Sequence, residues 1–338
     1  MRRAAITGER KAELVEAPDP KAKEHWVVVK VQAAPMCTEY PAFAAGHKMD
    51  QLGHEAAGEV VEVAQPGRVQ VGDRVVAMPL HACGECPLCI AGDHIYCENR
   101  PDFAQVHGTA EGSATMAQYL LKQDWMLVPI PEGMSYEKAS LACCGLGPSF
   151  GAFQEIGLNA FDTVLITGAG PVGLGAVVNA KFRGAKVIVV ESVPYRVQRA
   201  KDMGVEAVLE TGDPELVDKI KSLTGGGGVD CALDCSGAVA AQRVCIDATR
   251  RRGRVAFIGE CGDELPIRVS PDLIRKGLRV EGSWHYNLGD AALIMQVLQE
   301  SPLIDLLTSH VLPMSNIQEA FELCASHETA KVILRPWE

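Results

Sequence analysis

The 338-residue chain is 47% hydrophobic and has a formal net charge of −11, so it is long enough for two domains with a sizeable core. Its acidic balance argues against a nucleic-acid partner, which calls for a basic face, and no apolar run is long enough for a membrane span. Twelve cysteines without a secretory leader predict a reducing, cytoplasmic location in which thiols bind metals or lie buried.

The first part of the chain is predicted to form many short strands. Residues 1–35 end in the valine-rich stretch HWVVVKVQAA, which suits a half-buried antiparallel strand. A further strand is predicted over 56–63, and the pair Gly72-Asp73 marks a tight turn between strands within 67–76. Short strands joined by such turns predict a small β-barrel-like domain.

A cysteine-rich lobe, defined here as residues 81–98, comes next. Its four cysteines follow the pattern C-x2-C-x2-C-x7-C, at Cys83, Cys86, Cys89 and Cys97. Four thiolates close a tetrahedral structural zinc site, and a loop with so few apolar residues needs the metal to become ordered. Disulfides would require an oxidising compartment, a C-x-x-C redox pair would leave two thiols unexplained, and iron–sulfur clusters use other spacings.

The second half of the chain has a different pattern of secondary structure. After a strand over 116–131, a helix is predicted over 135–153, opened by Ser135 as a possible N-cap. From residue 163 onwards, short apolar runs alternate with helical patterns. That alternation predicts a doubly wound parallel sheet with helices on both faces, and hence an α/β protein.

A glycine turn in this half points to a dinucleotide. It reads Gly168-Ala169-Gly170-Pro171-Val172-Gly173, follows a predicted strand and opens a helix. The first glycine makes the turn, the second admits the pyrophosphate, and the third packs helix on strand, with the helix N-terminus facing the phosphates. Glu191 ends the second strand, where a carboxylate can accept both ribose hydroxyls, which favours NAD. Arg196 could instead serve a 2′-phosphate, so NADP stays open.

These motifs resemble those of the zinc-containing medium-chain dehydrogenase/reductase family, the alcohol and polyol dehydrogenases. The resemblance covers nearly the whole chain, with the cysteine-rich lobe, the motif Gly53-His54-Glu55 and the glycine turn in family order. It implies a GroES-like catalytic domain over 1–147 and a Rossmann NAD-binding domain over 148–303. The tail, 304–338, is then expected to rejoin the catalytic domain.

The resemblance also implies a catalytic zinc. Its ligands are Cys37, His54 and Cys144, the last found by counting back from the segment 150–152, and Glu55 lies beside the metal and is able to swap onto it. Three protein ligands and one open position are typical of catalytic zinc. The chain is therefore expected to hold two zinc ions, one catalytic and one structural.

The expected proton relay departs from the family pattern. The hydroxyl of Thr38 comes one residue early after Cys37, and Ala42 stands where many relatives carry a histidine. The relay candidates are Thr38 first, then Tyr40, His47 and His285. Trp284 and His285 either line the substrate pocket or belong to a packed interface.

Together these features predict a zinc-dependent, NAD-linked alcohol dehydrogenase acting on a secondary alcohol, polyol or sugar-like substrate. Zinc lowers the pKa of a bound hydroxyl, and hydride passes from the carbinol carbon to the nicotinamide. The alternatives are a zinc-independent quinone or enoyl reductase of the same fold and a non-catalytic dinucleotide-binding regulatory protein. A homodimer or homotetramer is expected, paired through an edge strand over 278–284.

Overall fold

The computed structural model describes residues 1–338 and separates them into two compact units. Unit 1 consists of Met1–Gly145, Asn287–Glu300 and Thr308–Glu338, and unit 2 of Leu146–Tyr286 and Ser301–Leu307. The predicted dinucleotide domain, 148–303, includes residues 287–300. The structure places this segment in unit 1, where the side chain of Asn287 donates to Ala91 O and Asp93 Oδ1 of the cysteine-rich lobe, both at 2.7 Å.

Fifteen strands and eleven α-helices make up the two units. The strands are β1 Arg2–Gly8, β2 Lys11–Glu16, β3 Trp26–Pro35, β4 Ala56–Glu62, β5 Arg74–Ala77, β6 Tyr119–Gln123, β7 Leu127–Pro129, β8 Thr163–Thr167, β9 Lys186–Val190, β10 Ala207–Leu209, β11 Val229–Asp234, β12 Thr249–Phe257, β13 Arg279–Gly282, β14 Thr308–Pro313 and β15 Lys331–Arg335. The helices are α1 Tyr40–Ala45, α2 Pro87–Ile90, α3 Phe103–His107, α4 Tyr136–Ser140, α5 Gly147–Glu155, α6 Pro171–Phe182, α7 Pro194–Asp202, α8 Leu216–Leu223, α9 Val239–Ala248, α10 Ala291–Glu300 and α11 Ile317–Ala325. None of these helices combines the length and apolarity that a membrane span requires.

Unit 1 is organised around β3. The strands are ordered β14-β15-β3-β4-β5-β7, with β6 also paired to β3, and β1 and β2 form a separate hairpin. Val29 and Val31 of β3 are fully buried in a core that also contains Phe43 and Phe321, whose rings stack at 4.9 Å. On the other face of β3, Trp26 and Val28 are buried in a second cluster. The strand is therefore buried on both faces, and not half-buried as its valine-rich pattern predicted.

Unit 2 contains a six-stranded sheet in the order β10-β9-β8-β11-β12-β13. All of its pairings are parallel, which confirms the predicted alternation of strands and helices. The chain runs from β8 outward to β10 on one side and then resumes at β11 on the other. This reversal is the point at which open α/β sheets bind their ligands.

The helix predicted over 135–153 is broken in the structure. α4 ends at Ser140 and α5 begins at Gly147, with a turn between them. Pro148 lies in the first turn of α5, where its missing N–H costs nothing, but a proline inside a continuous helix would remove a hydrogen bond and clash with the preceding turn. The break places Cys144 in a turn that a continuous helix would not have formed.

Candidate metal centres and dinucleotide site

The four cysteines of the cysteine-rich lobe converge. Their sulfur atoms all lie within 4.8 Å of one another, and none of the four is in a disulfide. The N–H of Cys83 points to Cys97 Sγ at 3.2 Å, and that of Cys86 to Cys83 Sγ at 3.3 Å. Backbone N–H groups of Cys89 and Glu98 lower the pKa of the Cys86 thiol to about 6. Such a set of four thiols could hold a tetrahedral zinc ion.

A second cluster brings together Cys37, His54, Glu55 and Cys144. One potential ligand atom from each lies within 4.8 Å of the others, and Cys144 Sγ is 3.3 Å from His54 Nε2. Cys37 follows β3, His54 precedes β4, and Cys144 lies in the turn after α4. Two thiols and one imidazole could hold a zinc ion and leave a fourth position open.

Glu39 orients this cluster, and the sequence reasoning missed it. Its Oε1 lies 3.2 Å from His54 Nδ1, and its Oε2 accepts a hydrogen bond from Cys37 N at 3.0 Å. A carboxylate on the far nitrogen of a ligating histidine fixes the tautomer and the ring orientation. The signal was a carboxylate two residues after a candidate ligand, in the place where the hydroxyl was expected.

A buried ion pair lies behind the cluster. Glu55 and Lys331 are both 0% exposed, and Lys331 Nζ lies 2.5 Å from Glu55 Oε1 and 3.1 Å from Met36 O. The other carboxylate oxygen, Oε2, accepts from Cys144 N at 3.0 Å. Burial raises the pKa of the Glu55 carboxyl to about 7, while the charge of Lys331 opposes that rise. Both oxygens of Glu55 are therefore engaged by the protein.

The glycine turn between β8 and α6 is tight. Gly168 has φ of +84°, which L side chains rarely adopt. A Cβ on Gly173 would lie 1.9 Å from Gly168 O, and one on Gly170 would lie 3.8 Å from the guanidinium of Arg196. The helix α6 then begins at Pro171. A side chain at Gly168 or Gly173 would not fit this turn, and the helix N-terminus that follows it could hold a phosphate.

Glu191 follows β9 and is 7% exposed. Its Oε2 accepts from Ala169 N at 2.8 Å, and its Oε1 accepts from Ser192 N and Val193 N at 2.8 and 2.9 Å. Each carboxylate oxygen has two lone pairs, so Oε2 still has room for one more donor. The carboxylate therefore fixes the glycine turn and keeps limited capacity for a hydroxyl.

The relay candidates occupy different surroundings. Thr38 and His47 are exposed, and the ring of Tyr40 meets that of His327 edge-on at 5.3 Å. In unit 2, His285 is 4% exposed, whereas Trp284 is 41% exposed. At the second cluster, Glu39 and Glu55 accept hydrogen bonds from the backbone of the candidate ligands, and Cys144 Sγ contacts His54 Nε2. Thr38, Tyr40 and His47 take part in none of these contacts.

Comparisons with known proteins agree with this architecture. Residues 23–132 match the alcohol dehydrogenase GroES-like domain, and residues 171–300 match the zinc-binding dehydrogenase domain. The chain is 33% identical to the uncharacterized zinc-type alcohol dehydrogenase-like protein YphC of Escherichia coli (strain K12), over 83% of this chain and 80% of that protein. It is 29% identical to a sorbitol dehydrogenase of Halalkalibacterium halodurans, over 95% and 94%. The alcohol dehydrogenase TADH from Thermus sp. ATN1 superposes with a TM-score of 0.89 at 25% identity, covering 99% of each chain.

The two matched domains and the two clusters define a zinc-type oxidoreductase with a GroES-like domain and a Rossmann domain. More specifically, the chain belongs to the zinc-containing medium-chain dehydrogenase/reductase family, as an alcohol or polyol dehydrogenase. The family and the fold class predicted from the sequence are thereby confirmed.

Proposed function

We propose that this chain is a zinc-dependent, NAD-linked dehydrogenase that oxidises a secondary alcohol on a polyol or similarly hydroxylated substrate. The observation that carries the proposal is the convergence of Cys37, His54, Glu55 and Cys144, whose potential ligand atoms lie within 4.8 Å of one another. If the two thiols and the imidazole bind zinc, a fourth position would be free for a hydroxyl oxygen. Relatives at 29–31% identity support the substrate class, because they are named as sorbitol, D-arabitol-phosphate and L-threonine 3-dehydrogenases.

Each residue of the cluster has a task in this proposal. The two thiols and the imidazole would hold the zinc. Glu39 contacts the imidazole at Nδ1 and leaves Nε2, which lies 3.3 Å from Cys144 Sγ, to bind the metal. Bound zinc would lower the pKa of the substrate hydroxyl, and bound nicotinamide would accept the hydride. Lys331 keeps Glu55 on the backbone of Cys144, which steadies the third ligand.

The cofactor proposed is NAD, with two zinc ions per chain. Glu191 already accepts the N–H of Ala169 within the glycine turn, so a 2′-phosphate arriving there would meet a negative charge. Arg196 lies over Gly170 and is the residue that would favour NADP. For the proton, Thr38 remains the first proposed relay, followed by Tyr40 and His47, since the proton of a zinc-bound hydroxyl would have to reach solvent.

An intact ligand cluster favours this dehydrogenase over the two alternatives. A zinc-independent reductase would have no use for Cys37, His54 and the four thiols of the cysteine-rich lobe, and a regulatory protein would have no use for an open metal position. We further propose self-association through β13, an edge strand that pairs only with β12, because a bare edge with exposed apolar neighbours is prone to pairing. Trp284, two residues beyond β13, is such a neighbour and is 41% exposed.

The proposal is tested by a substrate screen with the zinc-loaded protein. Secondary alcohols, polyols, their phosphates and threonine would each be offered with NAD or NADP, following the absorbance of the reduced nicotinamide. Turnover on a polyol with NAD, lost after chelation and restored by zinc, is expected. Turnover that survives removal of both metals would refute zinc dependence, and reduction of quinones or enones alone would refute the dehydrogenase assignment.

A further inference from the structure

A buried carboxylate, Asp234, lies where the parallel sheet reverses its strand order. It is the last residue of β11 and pairs in register with Thr167, the last residue of β8. These two strands are the neighbours between which the order reverses. Because ligands of open α/β sheets bind outside the carboxyl ends of the strands at that reversal, Asp234 lies at the base of the dinucleotide crevice.

The Asp234 side chain is 0% exposed, and all the groups that donate hydrogen bonds to its carboxylate are uncharged. Its Oδ1 accepts from Thr167 Oγ1 at 2.8 Å, from Ser236 N at 3.1 Å and from Ser236 Oγ at 2.7 Å. Its Oδ2 accepts from Gly237 N at 3.1 Å and from Gln242 Nε2 at 3.3 Å. A buried carboxylate is stable only if such donors are held in place. Asp234 therefore ties the end of β8 to the turn after β11.

The turn after β11 packs closely against the glycine turn, so the position of one affects the position of the other. A Cβ on Gly168 would lie 2.9 Å from Ser236 Cβ, and a Cβ on Gly259, just beyond β12, would lie 2.9 Å from both Asp234 Oδ2 and Ser236 N. The ends of three strands thus meet around one side chain with no room for another methyl group. A shift of Ser236 would be transmitted directly to Gly168, the first glycine of the phosphate-binding turn.

We propose that Asp234 is a positioning residue for the dinucleotide. It acts through Ser236 and Gly237, which it holds against Gly168, and so sets the width of the crevice at the strand reversal. The inference rests on the proposed nicotinamide-dependent function. No motif signals it in the sequence, because Asp234 ends an apolar strand like many other carboxylates.

Binding of NADH to the zinc-loaded full chain, followed by the change in nicotinamide fluorescence, tests this role without reference to turnover. Asp234→Asn keeps the shape of the side chain but replaces one acceptor oxygen with an NH2 group, which would face the other hydrogen-bond donors. We expect its Kd for NADH to rise about tenfold or more, since a hydrogen bond to a charged group is at stake. Ser236→Ala, which removes one donor, should give a smaller rise.

Asp230→Asn is the matched control, because Asp230 lies near the other end of β11 and bonds to Thr163 N and Arg250 Nε. Its Kd for NADH should equal that of the wild type. Urea midpoints measured in parallel separate positioning from stability, because a merely structural carboxylate would lower the midpoint and leave the Kd unchanged. If Asp234→Asn does not fold, Ser236→Ala and Thr167→Val decide the question, since each removes a single hydroxyl donor.

Folded variants that bind NADH as tightly as the wild type would overturn the positioning role alone. A wild type that binds neither NADH nor NADPH would overturn the proposed function and this inference with it. The expected result is weaker binding in every variant that loses a donor to Asp234, with binding by Asp230→Asn intact.

Discussion

Lys331→Met removes one half of an ion pair that has no access to water. Lys331 and Glu55 are both 0% exposed, and their charged atoms lie 2.5 Å apart. Breaking a buried pair by removing one partner costs about 3–5 kcal/mol, because the remaining carboxylate must either stay charged without a partner or take up a proton. Methionine keeps the apolar stem of the lysine, so the loss is assigned to the charge and not to a cavity. Unit 1 should lose much of a stability that is typically about 5–15 kcal/mol.

Urea unfolding of the zinc-loaded protein, followed by far-ultraviolet circular dichroism, measures this loss. With an m-value of about 3 kcal/mol per molar urea, the midpoint should fall by about 1–2 M. Arg335→Met is the matched control on the same strand, because Arg335 pairs with Glu137 at 2.8 Å but is 43% exposed. That pair should be worth about 0–1 kcal/mol.

A second variant isolates the charge. Adding Glu55→Gln to Lys331→Met removes the stranded carboxylate and should recover part of the lost stability, since no buried charge remains. The reasoning is refuted if Lys331→Met costs no more than the Arg335→Met control. It is also refuted if the double variant is less stable than Lys331→Met alone, provided that metal analysis shows equal zinc in all four proteins.

Four further predictions concern the metals, a buried amine, the cofactor and the proton. Metal analysis should find two zinc ions per chain, and one zinc or none in the wild type would contradict the two sites. Cys86→Ser should unfold or aggregate the chain, whereas Cys144→Ser should leave it folded but inactive. Burial lowers the pKa of Lys122 from its usual 10.5 to about 7, so the unfolded chain binds more protons between these values and the free energy of unfolding should rise with pH across that window. Lys122→Met should lack this rise. If the free energy of unfolding depends on pH in the same way in both proteins, the assignment to Lys122 is wrong. Glu191→Ala should weaken NADH binding and narrow the discrimination against NADPH, whereas a wild type that already prefers NADPH would point to Arg196. Thr38→Val should lower turnover by about 10²–10⁴ with zinc content intact, and unchanged turnover would move the relay elsewhere.

Features with a short range in sequence could be predicted from the chain alone. The cysteine-rich lobe supplies four thiols within 15 residues, from Cys83 to Cys97, so the loop that carries them suffices to define the site. The glycine turn is equally local, because positive φ at Gly168 and the close approach of Gly173 are demands that only glycine meets cheaply. The fold class followed from the difference between the two halves of the chain, because short strands joined by turns give way to alternating strands and helices.

Contacts between distant segments were decided only by the tertiary structure. Glu55 meets Lys331 across 276 positions, Thr167 meets Asp234 across 67, and Asn287 meets the cysteine-rich lobe across more than 190. A lysine at the start of an apolar strand, or an aspartate at the end of one, shows no local sign of its partner. The partner is set by strand order and register, and those are properties of the whole sheet, because a shift of one residue along a strand turns each side chain to the opposite face.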